Sequence, residues 1–192
     1  MRRALNNSNS LETEEYYLER IECSTTEFIK VMSDKLSHGL LLTSIGQNGK
    51  PNVMTIGWGL QGILWRKPVF MVAVRHSRYT HKLLEETGNF TVNIPRGDMG
   101  KVIDYCGTVS GRDHDKIVEL GLKTRIGKMV KAPIIEDCII NYECKTIGKA
   151  EIGSMLLDND VISSCYPKGD NHTVYYGEIL ATYSTKDVIT RL

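Results

Sequence analysis

The sequence predicts a mainly β protein of the α+β kind, a small antiparallel barrel with helices packed on its outside. Three observations carry this. Strand-like runs outnumber helical ones along the chain. The Asn48-Gly49 pair between two such runs is a hairpin signal, because both residues tolerate the positive φ of a tight turn. Hairpin connections are favoured over strand–helix–strand crossovers, which speaks against a parallel sheet.

Each element has a local reason. Ser24-Thr-Thr-Glu27 has the form of a capping box, with Ser24 as cap and Glu27 reaching back, and a short helix should follow to about Leu36. Leu40 to Ile45 reads as a strand. Gln47 to Pro51 turns the chain, and Asn52 to Trp58 alternates and should pair back antiparallel. Pro68 opens the next strand, Val69 to Val74. Ser77 is placed as the N-cap of a helix running to about Glu86, with Gly88 as its stop. Phe90 to Ile94 is a strand. Met99 to Tyr105 and Asp113 to Leu120 read as two short helices around the glycine-rich turn Gly107 to Gly111. Ile134 to Ile152 is mostly β-prone, with breaks at Asp137 and Gly148, and His172 to Tyr183 is a last long, aromatic, alternating strand. No repeat, low-complexity linker or domain boundary is visible. Residues 1–20 are expected as a frayed N-terminal extension, and 21–192 as a single domain.

Composition narrows the function. With 41% hydrophobic and 24% charged residues, the chain fits an ordinary soluble globular protein. A formal net charge of +1 supplies no global field for nucleic acid or an anionic membrane, so neither is expected as a partner. No apolar run approaches the ~20 residues that span a bilayer. The first ten residues lack the apolar core of a secretory signal. The five cysteines are odd in number and form no Cys-x-x-Cys pair, so reduced thiols in a cytoplasmic protein are expected. Cys106 lies beside the glycine-rich segment, as a buried inert thiol or near a ligand.

Several chemistries have no support. There is no Gly-x-Gly-x-x-Gly after a strand, no P-loop and no His-Glu-x-x-His. Gly-x-Ser-x-Gly is absent too. Asp113-His114-Asp115 resembles a metal cluster, but a polar first helical turn accounts for it. What remains is an anion site. Arg75, Ser77, Arg78, Tyr79 and Thr80 crowd one helix start, where free amides and the helix dipole favour phosphate. Arg75 and Arg78 are otherwise solvated surface charges. Gly57 and Gly59 flank Trp58 in a strand, marking either a bulge around a core tryptophan or the close approach of a flat ligand.

Four blocks together resemble the flavin reductase-like, FMN-binding split-barrel family, in its flavoredoxin branch. They are Asn52-Val-Met-Thr-Ile-Gly-Trp-Gly59, Ser77-Arg-Tyr-Thr-His-Lys82 through Phe90-Thr-Val-Asn-Ile-Pro95, Cys106-Gly-Thr-Val-Ser-Gly-Arg-Asp-His-Asp-Lys116, and His172-Thr-Val-Tyr-Tyr-Gly-Glu-Ile179. The resemblance implies a split β-barrel homodimer with one FMN per subunit near the interface. It implies that Met54, Thr55 and Ile56 line the isoalloxazine, and that Ser77, Arg78, Tyr79 and Thr80 hold the phosphate. It puts Asn93 near the flavin, has Ser110, Gly111 and Arg112 close the pocket, and gives Lys116 either the phosphate or a surface salt bridge. It sets His172 near flavin and nicotinamide, against the plainer reading of a solvated loop histidine. The expected activity is that of an FMN-dependent redox protein passing electrons from NAD(P)H or a reduced protein donor to an acceptor. A carrier exchanging electrons with a ferredoxin-like partner and a non-catalytic flavin-binding module remain open. Tyr166 to Asp170 is turn-like, with room for movement that would admit a second substrate or a partner surface.

Overall fold

A computed structural model describes residues 20–154 and 157–188, Ser154 by its backbone alone. Except for Arg20, the expected N-terminal extension lies outside the described residues. The elements run β1 (Arg20–Glu22), α1 (Ile29–Leu36), β2 (Leu40–Ile45), β3 (Pro51–Ile56), β4 (Gly59–Leu64), β5 (Lys67–Arg75), α2 (Tyr79–Thr87) and β6 (Asn89–Ile94). Then come α3 (Gly100–Thr108), α4 (Lys116–Glu119), β7 (Thr124–Ile126), β8 (Pro133–Ile135), β9 (Ile140–Glu151), a 3-10 turn (Ile152–Ser154), α5 (Asn159–Cys165) and β10 (His172–Thr185).

The main sheet has the order β3-β2-β6-β9-β10-β5-β4, antiparallel throughout, with β1 added to β10. Its two end strands, β3 and β4, are separated in sequence only by Gly57 and Trp58. Opposite edges joined by so short a link force the sheet to curl round on itself. No ladder joins β3 to β4 among the described residues, so the barrel stays split at that seam. Hairpin chemistry built the β2–β3 end as expected: Gly49 takes φ 75° and its N–H donates to Gly46 O at 3.0 Å.

Inside the barrel, Phe70, Phe90, Tyr142 and Tyr175 are fully or almost fully buried, and the rings of Phe70 and Tyr142 lie 5.5 Å apart. Gly177 belongs to this core. A Cβ there would come within 2.3 Å of the Phe90 ring, so the strand passes close only because that position has no side chain. A second apolar cluster, including Leu41, Val53, Met99 and Cys106, joins α3 to the outer face of β2 and β3. The Thr55 hydroxyl donates to Ile103 O across that contact at 2.5 Å.

Several local expectations are corrected. Ser24 and Glu27 do not form a capping box: α1 starts later, with Phe28 at its N-cap and no side-chain cap bond. Ser77 lies one residue before the N-cap of α2, which is Arg78, because its hydroxyl is drawn to Asp170 instead. Gly88 does stop α2, at φ 62°, its N–H on Leu84 O. Gly148 does not break β9. It pairs with Tyr176, and its bare Cα seats the Trp65 ring. Strand β4 was not expected. It joins β5 through Trp65 and Arg66, both at positive φ, a turn whose residues give no turn signal.

Candidate functional site

Two adjoining depressions meet at Met54 and Arg78 beside the seam of the barrel. One, of about 170 Å³, is lined by Met54 to Ile56 of β3 and the following Gly57 and Trp58, with Ala73, Arg75, Arg78 and His172. The other, of about 140 Å³, lies between the start of α2 and the segment Cys106 to Arg112. We call them the ring end and the charged end.

The charged end holds Arg78, Arg112 and Lys116, and no carboxylate of the described residues lines it. Each cation is anchored to backbone. Arg78 donates to Gly107 O at 3.1 Å and Arg112 to Ser77 O at 2.8 Å. A guanidinium has five donors, so one such bond leaves others for a ligand. Arg112 also lies 5.7 Å over the Tyr79 ring. Lys116 is not in a surface salt bridge. It is buried, and its ammonium donates to Cys106 O and Val109 O, both at 3.1 Å. Burial lowers its pKa, Cys106 opposes this, and Arg78 lowers it further. An anion would relieve that crowding of positive charge. The first turn of α2 adds the amides of Tyr79 and Thr80, which have no acceptor four residues back.

The wall of this end is packed tightly. Asn52 donates to the Thr80 hydroxyl at 2.8 Å. A Cβ on Gly111 would fall 1.9 Å from Asn52 Oδ1, so only glycine lets the two segments meet. Ser110 Oγ accepts the Arg112 N–H at 3.2 Å. Ser77 lines the cavity, but its N–H and hydroxyl both donate to the carboxylate of Asp170, at 3.1 and 2.7 Å.

At the ring end, β3 presents Met54, Thr55 and Ile56, and Gly57 has open space where a side chain would be. Gly59 differs: a Cβ there would meet Met71 O at 2.9 Å. Trp58 is half-exposed, not core, and its ring sits 4.6 Å from that of His172. His172 is buried rather than a solvated loop residue, and its Nδ1 is 2.9 Å from the Tyr166 hydroxyl. Burial holds its pKa down at about 4, with help from the charge of Arg75. Arg75 lies over both Trp58 and Tyr166, at 5.9 and 5.3 Å, and donates to Asp170 O and Cys165 O. The segment from Tyr166 to Asp170 is tied at three points, to His172, Arg75 and Ser77.

Met54, Thr55, Ile56, Ser77, Arg78, Tyr79, Thr80, Ser110, Gly111, Arg112, Lys116 and His172 thus converge on one continuous site. Asn93 does not. It is fully buried in the sheet, where its amide donates to Leu41 O and Thr91 Oγ1 and its oxygen accepts from Ile135 N and Asn141. Sequence reasoning missed Asn52 and Tyr166 and left Arg75 between two roles. The signal for Asn52 was a polar residue at the start of an otherwise apolar alternating strand. Cys106 is buried, and its thiol is pushed up to about 11, chiefly by burial. Asp115 caps α4 by accepting Val118 N–H, so the Asp113–His114–Asp115 group is the polar helix start.

Comparison with known proteins shows the family. Residues 33–191 match the family described as flavin reductase like domain, and the chain belongs to that family. Among solved structures it is similar to flavoredoxin from Methanosarcina acetivorans, at 31% identity and TM-score 0.61 over 78% of this chain and 69% of that one. It is similar to flavoredoxin of Desulfovibrio vulgaris at 27% identity and TM-score 0.63, over 78% and 70%. These likenesses put it on the flavoredoxin side of the family. An uncharacterized protein of Archaeoglobus fulgidus is 35% identical over 131 residues, 68% of this chain and 64% of that relative's length.

Proposed function

We propose that the chain is an FMN-binding redox protein whose flavin spans both cavities. One observation carries this: a recess along β3, lined by Met54, Ile56, Ala73 and Trp58 among polar groups, opens directly into a pocket of three anchored cations and the first amides of α2. That arrangement fits a planar ring joined to a phosphate, and fits neither an uncharged ring nor a bare phosphate alone. Met54, Thr55 and Ile56 would hold the ring, with Gly57 leaving room for it. Arg78, Arg112, Lys116 and the start of α2 would hold the phosphate. Bound FMN supplies the electron-transfer chemistry, and the protein supplies binding, orientation and local charge. The expected ligand preference is FMN well above riboflavin. Replacing Arg78 and Thr80 by alanine together with Ser77→Ala should weaken FMN far more than riboflavin. Equal loss for both would remove the phosphate from this end.

Electrons reach the site from NAD(P)H or from a reduced protein, and the flavoredoxin likeness favours the second. Anaerobic absorbance titration separates them. Bleaching of the flavin band by NADH or NADPH establishes an oxidoreductase fed by nicotinamide. Bleaching by a reduced ferredoxin alone establishes a carrier. We also infer a homodimer. Leu60, Ile63 and Leu64 are exposed on β4, an edge strand that continues from the ring end, Trp65 is exposed in the turn after it, and this apolar edge needs cover. Five free thiols suit a reducing cytoplasm, and no helix among the described residues is long and apolar enough to cross a membrane.

A further inference from the structure

We propose that Tyr166 is the positioning residue that fixes His172 in the tautomer with its proton on Nε2, so that the ring presents a neutral N–H donor to a carbonyl acceptor at the ring end. The argument starts from the phenol. Tyr166 is buried, and a buried hydroxyl must donate its proton to something. Among the described residues the acceptor it has is His172 Nδ1, at 2.9 Å. Were Nδ1 protonated, it would donate to the phenol oxygen, and the phenol proton would have no acceptor among the described residues. Nδ1 is therefore the bare nitrogen, and the proton of the neutral ring is on Nε2.

Three contacts hold the ring in that state. Trp58 lies against its face at 4.6 Å, with 40° between the planes. Tyr166 meets it edge-on, at 5.6 Å and 78°. The backbone of His172 is fixed by pairing with Arg75 at the first position of β10. The charged groups facing it are Arg75 on β5, Arg78 at the start of α2, His76 between them and Asp170 on the preceding loop. Three of these are cationic or can be, which disfavours a second positive charge on the ring, and burial acts the same way. Nε2 has no protein partner among the described residues, and His172 lines the ring-end cavity. A neutral N–H there selects a planar group bearing a carbonyl oxygen, whether it belongs to the flavin or to a second substrate. It also means that His172 is not the acid of a proton transfer near neutral pH.

This rests on the proposed function only for the identity of the acceptor, so the test separates the two. Protein labelled with [15N]histidine is examined by two-bond 1H–15N correlation from pH 5.5 to 8, the His172 signals being assigned by their loss in His172→Gln. A pyridine-type Nδ1 and pyrrole-type Nε2, unchanged over that range, is the expected result. In Tyr166→Phe both nitrogens should shift toward averaged values and the ring should titrate at higher pH. A pyrrole-type Nδ1 in the natural protein overturns the proposal, as does a pattern unmoved by Tyr166→Phe. If Tyr166→Phe does not fold, the natural protein's spectrum still decides. FMN binding is measured separately by flavin fluorescence quenching. Its absence would remove the flavin and leave the tautomer assignment standing.

Discussion

The carboxylate of Asp170 accepts two hydrogen bonds from Ser77, one from its backbone N–H and one from its hydroxyl. The two residues are 93 positions apart in sequence, and the contact closes the Tyr166–Asp170 loop over the start of α2. It also sets a negative charge beside the end of the site that gathers cations. Asp170 is stabilised as a carboxylate, burial opposing and the two Ser77 bonds and Arg75 favouring the charged form.

The first prediction follows from that charge. Asp170→Asn keeps an acceptor for Ser77 and removes a like charge near the phosphate. FMN should bind ~3- to 10-fold more tightly, the size expected of one partly screened charge, and more so at low salt. Riboflavin affinity should not change. Calorimetric titration with both ligands checks this. Weaker FMN binding would mean that Asp170 orders Ser77 for the ligand instead of competing with it.

A second prediction separates the two glycines around Trp58. Gly57 faces open cavity and Gly59 faces Met71 O. Gly57→Ala should leave the melting temperature nearly unchanged yet weaken FMN and riboflavin alike, because the methyl group intrudes on the ring end. Gly59→Ala should destabilise by ~1–3 kcal/mol through overpacking against a backbone oxygen. If Gly57→Ala binds both flavins normally, the ring does not lie along β3.

Much of this was legible in the sequence, for local reasons. The Asn48-Gly49 hairpin, the apolar strands and the αL stop at Gly88 are set by residues within a few positions of one another. The misreadings were tertiary. Ser77 has the chemistry of a cap, and only a partner far along the chain takes its hydroxyl away. Trp65 and Arg66 form a turn with none of the usual turn residues, because the Trp65 ring gains a seat on Gly148 and Tyr176 that offsets its positive φ. A polar residue in an apolar strand can face a ligand or a buried network, and sequence pattern alone does not separate the two. Asn93 illustrates the second outcome, while Asn52 bonds Thr80 and lines the charged-end cavity.

Asn93 yields the third prediction. Its amide ties β6 to β2, β8 and β9 at once. Asn93→Ala leaves Ile135 N and Leu41 O without this partner inside the fold, at a cost of ~2–4 kcal/mol for the unsatisfied groups and the cavity. FMN affinity, measured well below the lowered melting temperature, should stay within about twofold if the residue acts only on the sheet. A loss of binding without a loss of stability would return Asn93 to the flavin site.

The fourth prediction concerns acid. His172 is held neutral in the fold, with a pKa of about 4, mainly by burial and then by Arg75. The unfolded chain's histidine takes up its proton near pH 6.5. Between those values the unfolded state binds more protons than the folded one, so stability falls as pH falls. The contribution is complete above pH 6.5 and is lost progressively toward pH 4. From pH 7 to pH 5 the loss from this one residue is ~2 kcal/mol. His81 adds to it with the same sign, its pKa also lowered, by burial first and then by His76. Carboxylates titrate toward the lower end of this window, so the measurement is a difference. Urea unfolding at pH 7 and pH 5 is compared for the natural protein and for His172→Gln. The variant should start less stable, having lost its fit between Trp58 and Tyr166, yet lose ~2 kcal/mol less on acidification. Parallel losses in both proteins would mean that His172 is protonated in the fold at pH 5, and that Nδ1 does not hold the Tyr166 hydroxyl as acceptor there.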